Sequence, residues 1–559
     1  MVRRFFEVLH KEIRGLHEAA YLLGFFALLS QVLALLRDRL LAGAFGAGQT
    51  LDIYYAAFRI PDLIFVGVAS VVSIYVLIPF LSERVGNPEA ERRFVDTIFS
   101  AFFVVISFVS LLAFALAPVL IAWFFPGFVL QGIVDEAVLL TRILLLQPIL
   151  LGISNLLGSI TQTRQRFLIY AVSPLLYNIG IIFGILALYP PLGLMGLGLG
   201  VLLGALLHLM VQLPFIIEER LAPRPRFSID WGMVMSVVRL SLPRTLALSA
   251  HQVALLFVVG LASVLATGAI AVFQFAYNLQ AVPLAIVGVS YSVAAFPTLA
   301  RLFTAGDRTA FLEHVVTAAR HILFWSLPIM ALFIVLRAQI VRVILGVGAF
   351  GWEETRLTAA ALALFAISLA AQNLSLLFVR GYYASGNTRK PLIVNLITAA
   401  LVVVFSFALV VLFQSAPAFR ESMEALLRVS GIPGTEVLML PLGYSLALIV
   451  NAVLLWILFQ RDFRRFFMEV APTLFQSAAA ALLMGVVSYL GLDLLDDVFN
   501  LNTFWGILLQ GLLSGLAGIL SGIAFLTIVG NAELTEAARA LRRKFWKTPA
   551  LAPETEKLD

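Results

Sequence analysis

Apolar runs of about twenty residues follow one another along the whole 559-residue chain. A run of that length crosses the hydrocarbon core of a bilayer, about 30 Å thick, as a single α-helix. Transmembrane β-strands instead alternate apolar and polar residues, and these runs are continuous. Because 61% of the residues are hydrophobic and only 13% are charged, the sequence predicts an all-α polytopic membrane protein.

The runs predict about fourteen transmembrane helices. Their positions are near residues 20–45, 52–81, 95–122, 138–161, 167–189, 192–217, 238–265, 268–302, 316–345, 356–380, 391–413, 438–460, 471–491 and 503–529.

Basic residues are concentrated in alternate connections between these runs and at both termini. The basic connections contain Arg84, Arg92, Arg93, Arg164, Arg166, Arg220, Arg224, Arg226, Arg301, Arg308, Arg389, Lys390, Arg461, Arg464 and Arg465. The long loop near 414–437 is an exception, with two arginines offset by three glutamates. Since Lys and Arg stay in cytoplasmic loops, the alternation requires an even number of spans and predicts cytoplasmic termini. It also accounts for the net charge of +6 without a nucleic-acid partner.

A weak internal repeat suggests how the spans are grouped. The segment TRQRFLI at 163–169 recurs as TRKPLI at 388–393, each opening a new span. The offset of roughly 220 residues is close to six spans, which indicates two parallel, pseudo-symmetric six-helix lobes. The predicted divisions are an N-terminal lobe, an inter-lobe linker, a C-terminal lobe, and two extra helices with a basic tail, at 1–217, 218–232, 233–465 and 466–559.

Charged residues interrupt the first two apolar runs. They include Arg37, Asp38, Asp52 and Arg59. An ionisable side chain at mid-bilayer costs about 2.5–3.5 kcal/mol on insertion scales, so several together need a bundle interior, an aqueous cavity or a function. We predict that they line half of a polar cavity in a transporter. The alternative is that Arg37–Asp38 and Arg59–Asp52 are structural ion pairs that neutralise each other.

Other polar residues lie within the later spans. Arg244 and His251 are seven residues apart in the seventh span, on one helix face, and both cavity lining and interhelical hydrogen bonding remain open for them. Asparagines such as Asn178 are predicted to join neighbouring helices.

The segment RDRLLAGAFGAGQTLDIYYAAFRIPDL resembles the signature of the MurJ/MviN lipid II flippases, a family of the multidrug/oligosaccharidyl-lipid/polysaccharide exporter superfamily. A second match lies within the eighth span, where Pro283 and Pro297 bracket a glycine-containing helix as in the family. The matching residues of the first segment are Ser30, Arg37, Asp38, Phe45, Gly46, Ala47, Gly48, Asp52, Ala57, Phe58 and Pro61.

This resemblance implies fourteen helices in two lobes around a cationic cavity, with the extra pair forming a groove for a lipid tail. It implies that the substrate is lipid II, a polyprenyl-pyrophosphate-linked peptidoglycan precursor. The protein would move lipid II to the outer leaflet of the bacterial cytoplasmic membrane by alternating access. Its expected partners are this substrate and membrane lipids, and it is expected to act as a monomer without a cofactor.

The chain departs from the family pattern at several cavity positions. Phe65 and Val66 stand where the family has arginines, and Asn278, with Gln274 nearby, replaces a cavity-facing arginine of the eighth span. Gln31 and Ser70 also differ from the usual arginine and acidic residue. We therefore expect a cavity that is less cationic than in the family.

Three other classes of function are alternatives to this interpretation. An exporter of another polyprenyl-linked saccharide, of the O-antigen type, is close to the favoured interpretation. A cation-coupled multidrug or metabolite antiporter is less favoured, because twelve spans are usual in that class. An enzyme is not indicated, because the chain has no cysteine and none of its six histidines forms a metal-ligand motif.

Overall fold

The computed structural model describes residues 16–69, 74–84, 86–463 and 466–545. All regular secondary structure in these ranges is helical. This confirms the predicted all-α class.

The described residues between 16 and 263 form thirteen α-helices. They are α1 Leu16–Phe45, α2 Gln49–Ala57, α3 Arg59–Ile64, α4 Ile74–Ser82, α5 Pro88–Phe124, α6 Pro126–Gln131, α7 Val134–Leu144, α8 Gln147–Thr163, α9 Phe167–Phe183, α10 Tyr189–Leu192, α11 Leu194–Met210, α12 Leu213–Glu218 and α13 Trp231–Ser263.

Twelve further α-helices follow in the described part of the chain, up to residue 545. They are α14 Ala269–Pro283, α15 Ser290–Thr304, α16 Arg308–Val335, α17 Arg337–Leu345, α18 Trp352–Ala366, α19 Leu369–Ala384, α20 Arg389–Ser415, α21 Pro417–Leu427, α22 Met439–Phe463, α23 Phe466–Leu494, α24 Phe504–Ile528 and α25 Ala532–Phe545.

Among the described residues, eleven helical segments are long and apolar enough to cross a membrane, and a pair bent by 44° raises the number to twelve. These segments coincide with the predicted spans from the third to the fourteenth. The first predicted span falls on α1, and the second falls on the short helices between Gln49 and Ser82. Residues 70–73 lie outside the described part of the chain, so the count of fourteen stays a prediction.

Three apolar segments contain a widened, π-helical turn. These turns are Phe65–Ala69, Gly184–Leu188 and Leu284–Val289. The last directly follows Pro283, which has no backbone N–H to donate to the preceding turn. Such turns bend a helix and free backbone groups. Each is therefore a local break in a segment that hydropathy alone describes as continuous.

The chain forms two compact units. One comprises residues 1–282, 337–371 and 386–455, and the other comprises 283–336, 372–385 and 456–559. The first unit contains all the candidate site residues. The second contains a buried aromatic cluster in which Phe378 packs edge-on against Trp456 at 6.0 Å and Phe466 at 5.4 Å. The lobe boundaries set out from the sequence repeat stay a prediction.

Glycines bring α9 and α11 into backbone contact within the first unit. A Cβ added at Gly180 would collide with the backbone of Gly204, and one added at Gly200 would collide with Gly184 Cα. Small residues four apart allow this close approach between apolar helices, which gain their association energy from packing rather than from hydrophobic burial.

We expect Gly200→Leu to lower the thermal unfolding midpoint of the detergent-solubilised protein substantially, because the new side chain has to displace backbone rather than flexible atoms. The matched control is Gly24→Leu, since a Cβ at Gly24 meets no atom within 4 Å. Equal midpoints for the two variants would contradict the close packing of α9 on α11.

Candidate functional site

Arg37 and Asp38, adjacent on α1, form an ion pair in which Arg37 is half-buried and Asp38 is buried. Arg37 Nε and Nη2 donate to Asp38 Oδ1 at 3.0 and 2.8 Å. The Asp38 residue is 3% exposed. Removing one partner of such a pair leaves an uncompensated buried charge, at a cost of about 3–5 kcal/mol. The expected Arg37–Asp38 pair is therefore present.

Two asparagines complete the hydrogen bonding of this pair from other helices. Arg37 Nη1 donates to Asn178 Oδ1 on α9 at 3.2 Å. Asn278 Nδ2 on α14 donates to Asp38 Oδ2 at 2.9 Å. Each nitrogen of the Arg37 guanidinium and each oxygen of the Asp38 carboxylate consequently has a partner. The predicted helix-joining role of Asn178 includes direct contact with the charged pair.

The network continues along α14 to a second arginine. Gln274 Nε2 donates to Asn278 Oδ1 at 2.6 Å, as expected for residues four apart on a helix. The other end of the same amide, Gln274 Oε1, accepts from Arg59 Nη2. An unbroken series of polar contacts thus runs from Asn178 to Arg59 and joins α9, α1, α14 and α3.

This network borders a cavity of about 140 Å³. Arg37 and Arg59 both line it, as do Asp62 and the two α14 amides. The lining residues are Arg37, Tyr54, Tyr55, Phe58, Arg59, Asp62, Tyr177, Ile181, Gln274 and Asn278. The two arginines and the carboxylates of Asp38 and Asp62 give equal numbers of formal positive and negative charges. The cavity therefore has strong local dipoles and ion pairs with no excess charge from these four residues.

Asp52 has a different set of contacts. Its Oδ2 accepts from the backbone N–H of Gly268 at 2.6 Å, and its Oδ1 accepts from that of Ala271 at 2.9 Å. These N–H groups belong to the start of α14, where no helical carbonyl is available to accept from them. Asp52 is absent from the cavity lining, and Arg59 bonds to Gln274 instead. The alternative Arg59–Asp52 pair is therefore not what the structure shows.

Arg244 and His251, both half-buried on α13, do not line the cavity either. The His251 ring packs edge-on against Tyr444 at 6.1 Å, and Tyr444 in turn packs against Tyr277 at 5.8 Å. The assignment of Arg244 and His251 to the substrate site stays a prediction.

Sequence reasoning missed the three cavity tyrosines, Tyr54, Tyr55 and Tyr177. A tyrosine in an apolar run is usual at membrane interfaces and in packed cores, so its type alone gave no signal. The available signal was position, because Tyr55 is four residues before Arg59 and therefore lies about one helical turn away.

A hydrogen-bonded polar cavity among broken apolar helices is typical of multi-pass membrane transporters, which place their substrate sites at such interruptions. The fold and the cavity together define this class for the chain.

The particular family follows from comparison with known proteins. A family model described as "Lipid II flippase MurJ" matches residues 41–509. The chain belongs to the lipid II flippase MurJ family.

Curated relatives and solved structures agree with this assignment. "Probable lipid II flippase MurJ" proteins of Buchnera aphidicola subsp. Acyrthosiphon pisum and Thermotoga maritima are each 28% identical, covering 70% and 68% of this chain and 77% and 76% of their own. The structure "Lipid II flippase MurJ, inward closed conformation" has a TM-score of 0.71 at 22% identity, over 91% of this chain and 98% of that one. An inward-facing multidrug resistance MATE family transporter has a TM-score of 0.60 at 13% identity, over 78% and 96%. These two structural matches establish similarity of fold.

We expect Asp52→Ala to lower the free energy of unfolding by about 1–3 kcal/mol, because two backbone N–H groups at a helix start lose their acceptor. Asp52→Asn, which keeps one carbonyl oxygen, should fall between Asp52→Ala and wild type in a thermal or denaturant unfolding assay. The control is Glu353→Ala, which alters an exposed carboxylate in the first turn of α18. A stability of Asp52→Ala equal to that of the control would contradict the capping role.

Proposed function

We propose that this protein flips lipid II, a polyprenyl-pyrophosphate-linked peptidoglycan precursor, from the cytoplasmic to the outer leaflet by alternating access. The observation that supports this most is the presence of two arginines in one hydrogen-bonded cavity within a chain of the lipid II flippase MurJ family. The substrate-binding residues in this proposal are Arg37, Asp38, Arg59, Gln274 and Asn278.

The pyrophosphate is the part of the substrate that needs these residues. A polyphosphate anion cannot cross hydrocarbon without fixed cations and donors, and a charge pair interacts far more strongly in a site of low dielectric than in water. Arginine suits this role because its planar guanidinium stays charged and binds phosphate oxygens through two parallel hydrogen bonds. Arg37 and Arg59 are the two such groups in the cavity.

We infer that the substrate phosphate exchanges with one of the present partners of Arg37. All three of its nitrogens already donate to Asp38 or Asn178. A phosphate oxygen that replaces Asp38 would also loosen the contact of Asp38 with Asn278 on α14. Such a ligand interacts differently with two arrangements of the same helices, which is the requirement for shifting a conformational equilibrium. We infer that this exchange couples substrate binding to movement.

The proposed direction of transport, from the cytoplasmic to the outer leaflet, agrees with the sign of the membrane potential. With both termini in the cytoplasm, an inside-negative potential favours outward movement of an anion by about 2.3 kcal/mol per charge per 100 mV. We propose potential-assisted export in the bacterial cytoplasmic membrane by a monomeric transporter that is not an enzyme and uses no cofactor.

A second candidate is export of another polyprenyl-linked saccharide of the O-antigen type. The observation that favours it is the balance of charge around the cavity, together with Phe65, Val66 and Asn278 at positions where the family usually has arginine. A cation-coupled antiporter is a weaker candidate, because arginines in a cavity oppose the binding of cations.

Complementation of a bacterium depleted of its own lipid II flippase tests the proposed function. We expect wild type to restore growth and Arg37→Ala to fail, because the substitution removes a phosphate ligand and leaves Asp38 buried without its cation. Arg59→Ala is expected to reduce rescue. The control is Arg93→Ala, whose side chain is 62% exposed and lies on α5, away from the cavity.

Membrane levels of each variant have to match before rescue is compared. Failure of well-expressed wild type would contradict lipid II as the substrate and favour the second candidate. Rescue by both cavity variants, Arg37→Ala and Arg59→Ala, would place the substrate site outside this cavity.

A further inference from the structure

Two hydrogen-bond donors in the cavity, the Tyr55 hydroxyl and Arg59 Nε, have no partner among the described residues. Tyr55 is 7% exposed and Arg59 is 8% exposed. Bulk water therefore has little access to hydrogen-bond with them. A buried polar group without a hydrogen bond is destabilising, and more so when it is charged. Both residues line the same cavity, and the two donor atoms themselves are almost fully covered. Two such costs at one place point to a ligand that satisfies both.

The surrounding contacts hold these donors in fixed positions. The Tyr55 ring packs edge-on against Tyr54 at 5.3 Å and against Phe275 at 5.8 Å. Arg59 is held through Nη2 by Gln274, which is itself held by Asn278. The two residues are four apart in sequence, across the junction of α2 and α3. These contacts restrict both side chains before a ligand arrives, which lowers the conformational cost of binding.

The ligand that fits them is rich in acceptor oxygens. Arg59 Nε is only a donor and carries positive charge, which opposes a metal ion, and the Tyr55 hydroxyl donates beside it. A phosphoryl group offers several charged acceptor oxygens in a compact volume, whereas a sugar hydroxyl offers weaker ones. This contrasts with Arg37, whose three nitrogens are already engaged.

Because Asp62 adds a negative charge to the cavity, the two arginines need a further hydrogen-bond donor to favour an anion. Its carboxylate lines the same cavity, and with Asp38 it balances the charge of the two arginines. Net charge alone therefore does not favour an anion over a neutral ligand. Directional donors supply the preference instead, and the Tyr55 hydroxyl adds one without adding charge.

We propose that Tyr55 is a specificity-determining residue: its hydroxyl and Arg59 Nε donate together to one phosphoryl group of the substrate. The proposal rests on the proposed function, since it assigns part of the pyrophosphate of that substrate to these two donors.

The test is binding of farnesyl pyrophosphate to the full-length protein in detergent, measured by calorimetry. Tyr55→Phe removes only the hydroxyl, and we expect it to weaken binding about tenfold, as for loss of one hydrogen bond to a charged group. The control is Tyr189→Phe, the same substitution outside the cavity, where the ring packs on Phe45; its affinity should match that of wild type. Farnesol and inorganic pyrophosphate, measured in parallel, separate the contribution of the tail from that of the phosphates.

The unfolding midpoint without ligand separates a binding role from a structural one. Because the Tyr55 hydroxyl has no partner in the described protein, Tyr55→Phe should unfold at the wild-type temperature or above it. A lower midpoint would reveal a structural hydrogen bond and overturn the proposal. Unchanged farnesyl pyrophosphate affinity in Tyr55→Phe would also overturn it, as would absence of binding to wild type. If wild type still complements a flippase-depleted strain in either case, the proposed function stands and only the role of Tyr55 is lost.

Discussion

The ion pair of Arg37 and Asp38 is the interaction on which the candidate site depends. Two charges taken out of water cost several kcal/mol each, and their attraction compensates only when the remaining hydrogen-bonding positions are also satisfied. Here Asn178 and Asn278 supply those contacts from two other helices. The pair therefore links α1, α9 and α14 through polar contacts, and the cavity lies beside it.

Hydropathy predicted the later spans well because it depends only on length and composition. The segments from Pro88 to Ile528 keep both properties even where a helix is bent or widened. The second predicted span is different, since α2 ends at Ala57, α3 ends at Ile64 and a π-helical turn follows. Local interruptions of this kind arise from changes in backbone hydrogen bonding, which hydropathy averaged over a window of residues does not describe. The same segment holds Arg59 and Asp62, so the least predictable part of the fold is also part of the candidate site.

The charged residues of the site could be predicted because a charge in a membrane span is costly and is usually found where it has a partner or a function. Arg37, Asp38 and Arg59 do lie in one network. Gln274 and Asn278 were predicted as cavity residues from the family resemblance. Their spacing of four residues on α14 explains why their side chains meet. The capping contacts of Asp52 could not be predicted, because its partners are backbone N–H groups, which every residue except proline possesses. The residue type of the tyrosines carried no signal, and only the position of Tyr55, four residues before Arg59, related it to the charged residues.

Replacement of arginine by amides changes how such a cavity selects its ligand. An added arginine would raise the attraction for any anion and would compete with Arg37 for Asp38. Asn278 instead donates to Asp38 and accepts from Gln274, so it stabilises the ion pair and extends the network to Arg59. The positive charge is thus held in a neutral arrangement when no ligand is present, which lowers the cost of keeping two arginines within the membrane. Selection then depends on whether a ligand offers acceptors in the right directions for Arg37, Arg59 and Tyr55, since attraction to net charge contributes little in a balanced site.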